Sequence, residues 1–124
     1  MKERIAIPVE DENGLDARLC EHFGRAPYFA VVELDEKGEV SSYKTVSNSG
    51  EHFGGRGTAF EAIRSLEPNT VIVWGMGPRA LSNFQSAGIA VLQANDNTVK
   101  EVLIAYKENR LRELTEGCHE ARHR

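Results

Sequence analysis

The chain of 124 residues has no apolar run near the roughly 18 residues of a membrane span, so no membrane-spanning helix is expected. It has no basic excess either. Lys and Arg number 15 against 19 Asp and Glu, and a net charge of −4 leaves nothing to neutralise phosphates. General nucleic-acid binding is therefore not expected. Cysteine is scarce, at Cys20 and Cys118 only. No leader-like segment precedes the strand-like Arg4–Val9, so a cytoplasmic protein with reduced thiols is expected. Such thiols are available to a metal. Several catalytic signatures are missing too. No Gly-Lys-Ser/Thr phosphate loop and no G-x-G-x-x-G stretch occurs, and Ser47, Ser49 and Ser82 lack a glycine-flanked elbow. The acids Glu10 and Asp11 follow the first strand, but the segment 71–74 ends without a carboxylate, which disfavours a two-metal hydrolase.

What is present suits one globular domain. The chain is 40% apolar and 27% charged, enough for a buried core. Residues 4–9 read as a central strand. Residues 10–27 carry Asp11, Asn13-Gly14 and Pro27 and read as a long irregular loop, with Phe23, Tyr28 and Phe29 arguing against disorder. Residues 28–34 and 40–46 form a hairpin turned by Gly38, and the second strand is polar on both sides, as suits a sheet edge. A glycine-rich loop, 48–57, follows.

A helix over 58–66 presents Ala59, Phe60, Ile63 and Leu66 on one face, and Pro68 ends it. The β-branched run 70–74 is a buried strand. Gly75-Met76-Gly77-Pro78 turns into a helix to about Ser86 that buries Ala80, Leu81, Phe84 and Ala87 and is capped by Gly88. Residues 89–93 are the last expected strand. Asn97 or Thr98 caps a final helix to about Glu108, burying Val99, Val102, Leu103 and Tyr106. A domain over 1–116 and a flexible Cys/His tail over 117–124 are expected.

This order predicts an α/β fold with a five-stranded mixed sheet and helices on its faces. If the first strand is central, four segments leave the sheet at one rim. They are the loops carrying Cys20 and His22, then His52, the turn 75–78 and residues 94–96. Ligands of open α/β sheets bind outside the carboxyl ends of strands.

Cys20-x-His22 with His52 offers a thiolate and two imidazoles, a set suited to zinc, copper or an iron–sulfur species. A buried thiol beside a surface histidine is the plainer alternative. Cys118, His119 and His123 form a second soft-donor cluster on the tail, unless that tail is simply a charged terminus. Gly54, Gly55 and Gly57 precede one helix, and Gly75 and Gly77 another. Backbone N–H groups there can hold an anion, with Arg25, Arg56 and Arg79 as nearby cations. Tight turns with surface arginines would look the same.

The run His22-Phe23-Gly24-Arg25-Ala26-Pro27-Tyr28-Phe29, the loop from Asn48 through Gly54-Gly55-x-Gly57, and Gly75-Met76-Gly77-Pro78-Arg79-Ala80 with Ala87-Gly88-Ile89 resemble the dinitrogenase iron–molybdenum cofactor biosynthesis family across roughly residues 4–115. The resemblance implies a ribonuclease H-like three-layer α/β/α fold. It implies a non-catalytic carrier of an iron–sulfur or iron–molybdenum-type cluster or its precursor, as in nitrogen fixation; a single Zn or Fe ion is the other cargo the donor set allows. Cys20, His22 and His52 are the matching ligand candidates, with Arg25 and the glycine turns around them. Expected partners are cluster donor and acceptor proteins, with no nucleic acid and no membrane, the protein being a monomer or weak homo-oligomer. A small module that binds an anionic ligand is the alternative.

Overall fold

A computed structural model describes residues 3–48 and 59–114, with Ala59 and Phe60 by backbone alone. Its central strand is β1 (Glu3–Val9), whose residues from Ile5 to Val9 are all buried. A strand buried on both faces belongs inside a sheet. It pairs antiparallel with β2 (Tyr28–Leu34) and parallel with β4 (Thr70–Val73). β2 pairs antiparallel with β3 (Val40–Ser47), and β4 pairs parallel with β5 (Ala90–Gln93). A short sixth strand, β6 (Arg112–Glu113), runs antiparallel to β5. The order is β3-β2-β1-β4-β5-β6.

The helices are α1 (Ala59–Arg64), α2 (Pro78–Ser86) and α3 (Val99–Lys107). They cover both faces of the sheet, because strand residues alternate between two cores. One core joins Ala6, Phe29, Val71, Val73 and Val91 to Ala62 and Ile63 of α1 and to Leu81 and Phe84 of α2. The other joins Ile5, Ile7, Val32 and Ile72 to Val99, Val102 and Leu103 of α3. Each large apolar side chain buried this way contributes roughly 1.5–3 kcal/mol. Helix ends follow local chemistry. Pro78 starts α2 and Gly88 follows its end at φ 78°. Thr98 caps α3, its Oγ1 accepting the Glu101 N–H at 3.2 Å and donating to Glu101 Oε1 at 2.8 Å. Among the described residues no helix is long and apolar enough to cross a membrane.

The five expected strands are all present, and the sheet has six rather than five. Residues 112–113 read as part of a charged tail because both are charged and exposed, yet an edge strand tolerates that. Leu111 and Leu114 flank the pair and pack into opposite cores, the alternation a strand produces. The helix over 78–86 turns Ala87 to solvent, since the chain leaves the helix there. Thr58 and the tail 117–124 lie outside the described residues.

Candidate functional site

β1, β3, β4 and β5 run in one direction and β2 and β6 in the other. The chain therefore leaves β1, β3, β4 and β5 at the same rim. The expected convergence of the segment after β1, Asn48, Gly75–Gly77 and residues 94–96 follows from that pairing.

The segment 10–27 is irregular but not loose. A 3₁₀ turn spans Gly14–Asp16 and another Phe23–Arg25. Between them, Ala17 and Leu19 are buried and Arg18 is exposed, a two-residue alternation. This piece lies between β1 and the start of α3. Glu10 N–H donates to Arg18 O (2.8 Å) and Cys20 N–H to Pro8 O (2.9 Å) on one side. Leu19 N–H donates to Asn97 O (2.8 Å) and Val99 N–H to Ala17 O (3.0 Å) on the other. Asp11 holds the outer turn by accepting from the Asn13 and Arg18 N–H groups. The Tyr43 hydroxyl donates to Gly14 O at 2.8 Å. Burial pushes its pKa up, nearby Asp11 adds to that, and a bond to Thr45 opposes it. The period of two at Ala17–Leu19 was a signal that the loop formers around it obscured.

Cys20 is a free thiol, 8% exposed, in the core shared with Phe23, Met76 and Phe84. Its Sγ lies 3.5 Å from His22 O and donates to it weakly. His22 is exposed. Phe23 anchors the second turn, meeting Phe84 edge-on at 5.6 Å and Phe29 at 6.4 Å. Arg25 stands exposed at the end of that turn. Met76, between Gly75 and Gly77, is buried in the same core, so that turn and the 3₁₀ turn Phe23–Arg25 rest on one core. At Gly77 no side chain caps α2, whose first internal bond is Leu81 N–H to Gly77 O. The N–H groups of Arg79 and Ala80 therefore face the rim without an intrahelical acceptor.

The structure thus brings Cys20, His22, Arg25, Gly75 and Gly77 to one end of the sheet. Among the described residues no three His, Cys, Asp or Glu side chains cluster closely enough to hold a metal ion. His52, Gly54, Gly55, Gly57, Cys118, His119 and His123 lie outside the described residues. The described donors fit a cluster in kind, one thiol, one imidazole and backbone N–H groups, but do not form a closed ligand shell.

A profile of the dinitrogenase iron–molybdenum cofactor family matches residues 3–109. The chain belongs to that family. An uncharacterised protein of Methanocaldococcus jannaschii, MJ0580, is 33% identical over 111 residues, covering 87% of this chain and 88% of the relative. The crystal structure of PH0822 matches with a TM-score of 0.74 at 29% identity, over 90% of this chain and 94% of the other. A Thermotoga protein named as a candidate NifB, TM1290, matches with a TM-score of 0.72 at 26% identity, over 91% and 94%. Membership of the dinitrogenase iron–molybdenum cofactor family ties the chain to cofactor-associated proteins. The matched span covers the described segments at the rim and also His52.

Proposed function

We propose that this protein binds and carries an iron–sulfur-based cluster or its precursor, as in iron–molybdenum cofactor assembly, and that it does so without catalysis. What supports this reading is the family, together with a core holding Cys20, Phe23 and Met76 beneath the rim where the exposed His22 and Arg25 and the Gly75–Gly77 turn leave the sheet. An anionic cluster calls for soft donors, backbone N–H groups and cations. A carrier is served by few strong ligands, because its cargo must leave. Cys20 and His22 would be donors, with His52, Cys118, His119 and His123, outside the described residues, as the further candidates. Cluster donor and acceptor proteins in the cytoplasm would be the partners. The same reading takes β3-β2-β1-β4-β5 as ribonuclease H-like scaffolding, with β6 added at its edge.

Anaerobic reconstitution with iron and sulfide tests the reading. Visible charge-transfer bands and bound iron are expected in the wild type and largely lost in Cys20→Ala/His22→Ala. Bands absent from both proteins, or equal in both, would sink it. Truncation from Gly117 onward measures the contribution of the tail. The uncapped start of α2 favours a second reading, a module for a small anionic ligand. Stabilisation of the metal-free protein by millimolar phosphate or nucleotide would support that one.

A further inference from the structure

Asn48 is half-buried where the chain leaves β3, and it bonds twice to the segment that carries His22 and Arg25. Its backbone N–H donates to Pro27 O at 2.8 Å, and its Nδ2 donates to Ala26 O at 2.8 Å. The backbone bond extends the β2–β3 ladder by one rung, and any residue but proline could make it. The side-chain bond is different. It satisfies the carbonyl at the exit of the 3₁₀ turn, where Ala26 N–H already donates to Phe23 O. Among short side chains, asparagine's is the one that carries an N–H donor.

We infer that Asn48 is a positioning residue, a clamp that fixes the arch 22–26 against the end of β3 and so sets where His22 and Arg25 stand at the rim. The inference rests on the carrier reading and deepens it. Cys20 is fixed to β1 through Pro8, and Phe23 is fixed in the core by Phe84. Ala26 packs in that core too, but neither contact holds its carbonyl. Asn48 does, from the end of β3. Exposed groups such as His22 and Arg25 have no packing of their own to hold them, so their placement depends on the backbone beneath.

The test compares wild type with Asn48→Ala, which loses the side-chain bond, and Asn48→Asp, whose carboxylate cannot donate and repels the Ala26 carbonyl. Asn69→Ala is the control, since its Oδ1 accepts from Arg4 N–H at the opposite rim, at 2.9 Å. Two quantities are read on the full chain: amide exchange at Arg25 and Ala26 without cargo, and release of a reconstituted iron–sulfur cluster to a chelator. Asn48→Ala is expected to speed both about fivefold, which is what one hydrogen bond contributes. Asn48→Asp is expected to do so by more, and Asn69→Ala to change neither. Exchange at Arg25 and Ala26 that matches the control, or equal release from wild type and Asn48→Ala, overturns the inference. A wild type that takes up no cluster overturns the carrier reading instead, and the exchange comparison alone then decides for or against Asn48.

Discussion

Two connections join antiparallel neighbours around β2, and they are built in opposite ways. The β2–β3 turn, residues 35–39, is settled by its own chemistry. Asp35 Oδ1 accepts the Lys37 and Glu39 N–H groups at 2.8 and 3.0 Å, and Gly38 sits at φ 82°. The β1–β2 connection, residues 10–27, holds its shape through distant partners. It bonds to Pro8, to Asn97 and Val99, and to Asn48, and it sends Ala17, Leu19, Cys20, Phe23 and Ala26 into the two cores. The short turn closes a hairpin with little entropy to lose. The long one fixes many more residues, at roughly 1–2 kcal/mol each in backbone entropy, and core burial has to offset that. The proposed site lies on the long one. Its exposed groups stand on a backbone held by the hydrophobic core.

The contrast can be broken from the long side first. Phe23→Ala removes a buried ring and is expected to lower unfolding stability by about 3–5 kcal/mol in urea titrations. A loss under about 1 kcal/mol would mean that the arch is not part of the core. Next comes the short turn. Gly38→Ala places a Cβ at positive φ, at a cost of about 1–2 kcal/mol. The new methyl would also lie 3.4 Å from Lys107 Cγ. The same titration should find the smaller loss, with amide exchange in the arch unchanged.

The smallest effect is in pH dependence. Tyr106, next to Lys107 on α3, donates to Glu3 Oε1 at 2.6 Å. Burial first, then the bond to Glu3 and its charge, push the Tyr106 pKa up to about 12. The raised value means that the fold favours the neutral phenol. That stability is fully present below the usual tyrosine value, near 10, and is lost as pH rises toward about 12. The ring is half-exposed, so solvent screening keeps the effect small. Thermal midpoints should fall across this window, and Tyr106→Phe should flatten the fall, leaving a slope from Tyr43. An unchanged slope would remove Tyr106 as its source.

How much of this was legible in the sequence differs by region for the same reason. Strands β1 to β5 and all three helices follow from local patterns: continuous apolar runs, a period near 3.6, Pro78 and Gly88 at the ends of α2, Asn97 or Thr98 at the start of α3. The direction of each strand followed from connection lengths, and with it the rim where His22, Arg25, Gly75 and Gly77 stand. β6 was hidden because two charged residues carry no strand pattern, and only the open edge of β5 gives them a partner. Ala87 was misjudged because a helical period says nothing of where the helix stops touching the sheet.

The sequence by itself determined the fold class, the family and the residues worth asking about, because periodicity and motif order are local properties of the chain. Tertiary structure alone decided how those residues stand. Cys20 turns into the core and His22 out of it, Met76 and Phe84 support the same arch as Phe23, and Asn48 reaches back to Ala26. These placements depend on contacts between residues far apart in sequence, which no local pattern encodes.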